Sequence, residues 1–427
     1  MRASSRFRIL VIALIAPMWS LACSSAPTAI RSPNLSVADG PAADAAPRWN
    51  AIARALIVSA KPNQQEALRA MAYLSLAQHQ AALDVATGPI GLGPITPNLT
   101  IWQEDPTTGS EPVDARRGFD RAAVVRGAIA AASAEVLKEM FKGNVAQIQD
   151  AEAAEKALSA EVGESAADFA AGLDAGRKAG VRLATAARAD NFDATWNGSV
   201  PTGPGSWFSS IGRPPALPML GQMRPFFMAT GSDFRPPPPP AFGSNAYAAA
   251  LSEIRAYSDS RTATQDSIAK FWAMATGTLV AGYWNEVATS LIAKYQLTEL
   301  RATHLLALMN TAAMDGNIAC HDAKYVYWMI RPSQADAGIK TAIGLPNHPS
   351  YPSNHACLSG TAALILGAEF PAERAEMERQ ATEATVSRYY AGLHYRFDGD
   401  AGLAIARQVA DLALRVDRDL AGKLALR

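Results

Sequence analysis

The chain has little charge and few rings. Of its 427 residues only 18% are charged and 7% aromatic. Lys+Arg and Asp+Glu both number 39, so the formal net charge is zero. No basic excess points to nucleic acid, and no acidic tail points to a basic partner. Cysteine occurs at 23, 320 and 357 alone, which gives no zinc-site spacing. Past the N-terminus no stretch reaches 18 apolar residues, so the later chain holds no candidate spanning helix. No β-alternation lasts long enough to build a sheet, and no internal repeat is visible. What is present is apolar bulk. Hydrophobic residues make up 49%, enough for a sizeable core and too many for a disordered chain. Alanine is abundant throughout, which leans the chain towards helix.

The first residues read as a targeting segment. Arg2, Arg6 and Arg8 precede the unbroken apolar run from Ile9 to Ala16, which is too short to span. Ser20-Leu21-Ala22-Cys23 then resembles a bacterial lipoprotein box, with Ser20 where that box usually has Leu. On this reading 1–22 is a signal peptide and Cys23 is lipidated. The alternative is an ordinary cleavage site with Cys23 beside it. Either way the mature protein is exported, periplasmic or anchored to a membrane by lipid alone. Cys320 and Cys357 then remain, either as a disulfide or as two buried thiols.

Residues 23–48, rich in Ser, Ala, Pro and Asp, read as a flexible tether. Residues 49–243 form an N-terminal helical region. Its helical patterns run from Trp49 to Ala86, Phe119 to Phe141 and Ala151 to Ala189, with a Gly/Pro-punctuated loop at Thr87–Val113. Asn191 to Gly243 breaks the pattern with many prolines, among them the extended run Pro236–Pro240. So long a loop is expected to act as a lid or pocket wall. Residues 244–427 turn helical again, near 247–258, 262–290, 297–318, 356–369, 371–391 and 400–421. The expected fold is all-α: a C-terminal helical bundle core with an added N-terminal helical half.

The chemistry-bearing residues cluster between Lys324 and Asp398. Lys324 and Arg331 are seven apart, and would share one face of a helix that Pro332 stops. Ser353 and His355 follow Pro352 at the mouth of an apolar helix, whose free N–H groups suit an anion. Arg388 and His394 fit a helix end and its following turn. His394 and Asp398 stand four apart, a spacing that lets the carboxylate fix the imidazole tautomer. Together these groups suit a tetrahedral oxyanion, since arginine forks match such oxygens and lysine adds a point charge. Taken singly each has a plainer reading: a solvated helix face, a structural histidine, an ordinary ion pair.

The joint pattern resembles the signature shared by vanadium-dependent haloperoxidases and type 2 phosphatidic acid phosphatases. Lys324-x6-Arg331-Pro332, Pro352-Ser353-Asn354-His355 and Ser387-Arg388-x5-His394-x3-Asp398 occur in that order. Asn354 replaces the glycine of that signature. Gln265, Phe271-Trp272, Trp284-Asn285-Glu286, Asp315, Asp322-Ala323-Lys324-Tyr325 and the Pro-rich stretch resemble the flanks of the soluble bacterial haloperoxidase-like members. The likeness spans roughly residues 50–420, more weakly before 245.

The resemblance implies a role for each position. His394 would hold vanadate covalently, or become a phosphohistidine, with Asp398 orienting it. Lys324, Arg331, Arg388, Ser353 and the Asn354 amide would bind the oxyanion. His355 would be the general acid/base. His321 and His348 stand where that family shapes its halide environment, and neither is the aromatic expected for chloride, so bromide or iodide is favoured. A structural role for both, in a helix face and an Asn-His-Pro turn, stays open. Asn354 is expected to keep its backbone donor and to tolerate a positive φ better than most residues. The implied reaction is halide oxidation by peroxide with vanadate as cofactor. The alternative is phosphomonoester hydrolysis in the same pocket with no cofactor. A third reading is a catalytically silent oxyanion-binding lipoprotein. Helical relatives often associate, so a homo-oligomer is compatible with the likeness. His79 and His304 have no partner pattern and read as structural.

Overall fold

The computed structural model describes residues 44–87, 120–274 and 277–425, with side chains through 419. The signal peptide, Cys23, most of the tether and nearly all of the 87–113 loop lie outside the described residues.

Helix α1 spans Ala45–Ala60 and α2 spans Gln64–Thr87. The expected single segment is cut at Lys61, which is left-handed at φ 52°, and at Pro62. Asn63 restarts the helix. Its Oδ1 accepts from the Gln65 and Glu66 amides at 3.0 and 2.9 Å, and Glu66 accepts in turn from the Asn63 N–H at 2.8 Å. Helix α3 is Arg121–Met140, capped by the Asp120 side chain. The expected 151–189 segment is likewise two helices, α4 (Val145–Glu161) and α5 (Ala166–Arg188), broken at Gly163 and restarted by the Ser165 cap. Helices α3 and α5 pack backbone to backbone. A Cβ added at Gly172, Gly176 or Gly180 would stand 2.1, 1.9 and 2.8 Å from carbonyl oxygens of α3. Only a glycine stripe at four-residue spacing permits that approach.

The C-terminal half holds α6 (Asn245–Ser260), α7 (Ala263–Met274), α8 (Leu279–Lys294), α9 (Glu299–Tyr327), the single turn α10 (Pro332–Ala335), α11 (Asn354–Glu369), α12 (Arg374–Tyr390) and α13 (Arg396–Ala425). The expected 262–290 helix is two, α7 and α8, and α9 runs nine residues beyond its expected end at 318. The described residues contain no strand, only one isolated bridge between Ser206 and Met329. No described helix is long and apolar enough to cross a membrane. One apolar core runs from Trp49 and Leu68 through Leu306 and Met314 to Leu366 and Val409, so both halves share it.

Helix α9 organises the whole. Its residues from Ala302 onwards are almost all buried, polar ones included. Cys320 on α9 and Cys357 on α11 are joined in a disulfide, Cα to Cα 6.4 Å, which settles the pairing left open by the sequence. The Pro-rich stretch lies against the end of α9. Asp315 accepts backbone N–H bonds from Phe226, Phe227 and Met228 at 2.7, 2.7 and 3.1 Å. The Tyr351 hydroxyl donates to the Pro237 carbonyl at 2.7 Å. The stretch thus forms a wall over the chain segment that connects α9 to α11.

Candidate oxyanion site

Four elements converge on one buried point: the end of α9, the 328–353 connection, the N-terminus of α11 and the turn between α12 and α13. Lys324, Arg331, Ser353, Ser387 and Asp398 are fully buried, and Arg388 and His394 nearly so.

Lys324 stays on α9, but Arg331 does not. The helix ends at Tyr327, with Trp328 as a left-handed cap whose N–H reaches the Lys324 carbonyl. The expected shared helix face is therefore replaced by a turn. Pro332 does not stop a helix but opens α10, where its missing N–H costs nothing. Arg331 is fixed by backbone carbonyls. Its Nε donates to the His348 carbonyl at 2.9 Å and Nη1 to the Leu393 carbonyl at 2.9 Å. Its Nη1 also lies 3.4 Å from His394 Nε2, and Nη2 lies 3.1 Å from His348 Nδ1.

The Lys324 ammonium donates to the carbonyls of Pro349 (3.0 Å), Ser350 (2.8 Å) and Pro352. Burial first, then Arg331, pushes its pKa well down, and Asp398 opposes this. Arg388 donates through Nε to Ser387 Oγ at 2.8 Å and through Nη2 to the Ala269 carbonyl at 2.7 Å. Burial lowers Arg388 to about 9 and Arg331 to about 10.

His394 Nδ1 lies 2.9 Å from Asp398 Oδ2. The same oxygen accepts from Ser350 Oγ at 2.5 Å and from the Tyr395 amide at 3.1 Å. A carboxylate partner places the proton on Nδ1 and leaves the Nε2 lone pair facing Arg331. Burial, with Arg331 and Lys324 beside it, holds His394 well below the usual imidazole range. Burial raises Asp398 to about 7 despite its hydrogen bonds and the two cations.

Ser353 caps α11, and its Oγ has no partner. Asn354 begins that helix, and its φ is not positive. The expected recourse to left-handed tolerance is thus unnecessary. Its Nδ2 lies 3.5 Å from both His321 ring nitrogens, while its Oδ1 is buried without a partner. His321 Nδ1 lies 3.0 Å from the Asn317 carbonyl, and its ring centre is 5.8 Å from that of His348. Burial and Lys324 lower His321 to about 3. His355 stands apart from these contacts. Its Nε2 donates to the Trp272 carbonyl at 2.8 Å, so Nδ1 carries the lone pair. Burial, then Arg388, lowers it to about 3.

The geometry adds groups that the motif does not contain. Ser350, the carbonyls of 349, 350 and 352, and the carbonyls of Ala269 and Trp272 orient the charged side chains. Backbone acceptors carry no residue-type signal, so a sequence pattern has no means of finding them. His79 and His304 pack against each other at 5.3 Å, far along α2 and α9 from Lys324.

The fold and this site define an all-α protein with a buried cluster of cationic and imidazole side chains. Residues 303–420 match the family model of the PAP2 superfamily. A non-specific acid phosphatase of Providencia stuartii is 29% identical over 179 residues, 40% of this chain and 68% of that protein. A bacterial vanadium-dependent iodoperoxidase structure aligns with a TM-score of 0.68 at 20% identity, covering 87% of this chain and 96% of the other. The apo form of a bacterial vanadium-dependent chloroperoxidase aligns at 0.61 and 16% identity, covering 83% and 94%. Its holo form aligns at 0.63 and 15%, covering 84% and 93%.

Proposed function

We propose that the protein is a vanadate-dependent haloperoxidase that oxidises bromide or iodide with hydrogen peroxide. The carrying observation is an imbalance of buried charge. Among the described residues Asp398 is the carboxylate that acts on Lys324 and Arg331, and none acts on Arg388, all three being buried. Buried cations without counter-charge are costly. An oxyanion supplies what is missing, and the unpartnered Ser353 hydroxyl offers it a further donor. Vanadate fits this donor set: His394 Nε2 would hold it, and the two arginines, Lys324, Ser353 and the N-terminal amides of α11 would neutralise its oxygens. When bound, it supplies the Lewis-acid centre that activates peroxide. Asp398 keeps the His394 proton on Nδ1, and His355 Nδ1 is the lone pair available to move a proton. His321 and His348 are held neutral and line the side where a halide would enter.

The alignment over most of both chains with an iodoperoxidase supports this reading. The acid phosphatase relative favours a second one. There His394 Nε2 attacks phosphorus, the ester oxygen leaves and takes a proton through His355, and water then hydrolyses the phosphohistidine. We further propose export, with a lipid anchor at Cys23. The buried Cys320–Cys357 disulfide suits an oxidising compartment.

The test uses protein beginning after Cys23 and prepared free of phosphate. It is loaded with orthovanadate and assayed for peroxide-dependent bromination, while vanadate-free protein receives an aryl phosphate. Bromination that needs vanadate and falls at least about a thousandfold in His394→Ala supports the first reading. Vanadate-inhibited phosphate release without bromination replaces it with the second.

A further inference from the structure

A cavity of about 290 Å³ is lined by Trp196, Met219, Gln222, Asp322, Tyr325 and Trp328 among others. Asp322, Tyr325 and Trp328 come from the end of α9, and the other three from the Pro-rich wall. Trp328 is the hub. Its ring centre lies 5.0 Å from Tyr325 in edge contact and 6.0 Å from Trp196. It holds this position at a backbone cost. Its φ is 48° and ψ 35°, at a helix cap where glycine is the usual residue. A bulky side chain kept in the left-handed region is a local strain, and such strain clusters at ligand sites.

The cavity is wired to the oxyanion site by rings. Tyr325 follows Lys324 in sequence, and its ring centre is 6.4 Å from that of His321. His321 is 5.8 Å from His348, whose Nδ1 meets Arg331 at 3.1 Å. A ligand against Trp328 and Tyr325 would therefore be one aromatic layer from the His321–His348 pair.

The lining selects a class of ligand. Three ring faces and a thioether favour a flat, polarisable body. Asp322 is neutralised by Arg235, at 2.6 and 2.9 Å, so the pocket does not select a cation. None of the lining residues is a lysine or arginine, so it does not select an anion. The Gln222 amide and the Asp322 carboxylate are left to bond a polar edge.

We propose that this cavity binds the organic acceptor of the reaction, a neutral aromatic ring with an N–H or O–H edge, such as an indole or a phenol. The proposal rests on the haloperoxidase reading for its chemistry. Hypohalous acid released past His321 and His348 would meet the ring there: a carbon–halogen bond forms, the oxygen–halogen bond breaks, and the displaced ring proton and hydroxide leave as water.

The test uses indole as probe, with binding read by saturation-transfer NMR and turnover by peroxide-dependent bromination of indole. Trp196→Ala and Trp328→Gly are compared with the parent, with thermal melting as the control for folding. Trp328→Gly places the favoured residue at the strained cap, so it should fold. The expected result is about a tenfold loss of indole affinity in each variant, matched by a rise in KM with kcat little changed. Full indole binding in both folded variants would overturn the proposal. So would no binding to the parent. If indole binds the parent and both variants lose it, but no bromination occurs, the site stands and the haloperoxidase reading falls.

Discussion

The α3–α5 pair and the α9–α11 pair are built from the same alanine-rich material and do opposite things with it. At α3–α5 the glycines at 172, 176 and 180 let two backbones meet, with side-chain polar groups kept to the rim in ion pairs such as Arg126–Glu164 at 2.9 Å. Nothing in that interface calls for a ligand. Around α9–α11 buried charge and unpartnered polar atoms gather instead: Lys324 on α9, Ser353 Oγ and Asn354 Oδ1 at the start of α11, and Asp398 Oδ1 on α13. Such atoms destabilise a core by about 1–3 kcal/mol each when unmet. The Cys320–Cys357 disulfide adds a covalent tie to the apolar core these helices share, one residue from His321 and one helical turn from Ser353. Close backbone packing thus joins one helix pair, and a covalent tie reinforces the core packing of the other, which carries the buried charge.

Breaking the tie gives the largest expected effect. The disulfide closes a loop of sequence separation 37. Removing it with Cys320→Ser and Cys357→Ser should cost about 4 kcal/mol by the loop-entropy relation. Chemical denaturation measures this, and excess orthovanadate should restore part of it, because a ligand bound only to the folded state adds stability. An unchanged midpoint would mean that the tie supports nothing. Next comes the opposite pair. Gly176→Val should cost about 3 kcal/mol, since its side chain would meet the Ala128 carbonyl. Vanadate affinity of the folded variant should match the parent by calorimetry. A variant with weakened vanadate binding would erase the distinction between the two ends.

These two devices differ in how legible they are. The charged cluster can be read because its pattern uses particular side chains at particular spacings, and Lys324, Arg331, Ser353, Arg388, His394 and Asp398 are all buried around the ends of α9, α11 and α12. The route by which they meet cannot be read. A spacing of seven puts Arg331 on the α9 face, but Trp328 caps the helix before it. Helical periodicity marks the elements but misses their breaks at Lys61 and Gly163, where single residues take positive φ. The glycine stripe of α5 escapes an apolar pattern because such a pattern scores large residues, whereas this interface is defined by missing side chains. Orientation of His355 by the Trp272 carbonyl depends on a backbone group from a distant helix, which no side-chain pattern encodes.

A smaller effect separates the two ends by pH. In anion-free protein, His355 has its folded pKa lowered from 6.5 to about 3, with burial as the main cause. A lowered folded value means that the unfolded chain binds the proton first. The stability is intact above pH 6.5 and is lost as pH falls towards 3. Within that window one such histidine contributes a slope of about 1.4 kcal/mol per pH unit. Asp398, raised to about 7, acts in the other sense and loses its contribution as pH rises through that value. His355→Gln should flatten the acid slope by close to one proton in urea titrations between pH 6 and 4. An unaltered slope would show that His355 is charged in the folded protein.

The smallest effect concerns Asn354, and here opposing terms nearly cancel. Replacing it with glycine at the start of α11 costs helix propensity of about 1 kcal/mol. It also removes the buried Oδ1, whose unmet desolvation is worth about 1–3 kcal/mol. The hydrogen bond given up in exchange is weak, 3.5 Å to the His321 ring. Asn354→Gly should therefore leave stability within about 1 kcal/mol and turnover unchanged or raised, since the backbone N–H stays in place. Complete loss of activity with intact folding would mean that the side-chain amide itself meets the ligand. In that case the Asn354 side chain, and not its backbone N–H alone, belongs to the candidate site, and its buried Oδ1 has a reason to be there.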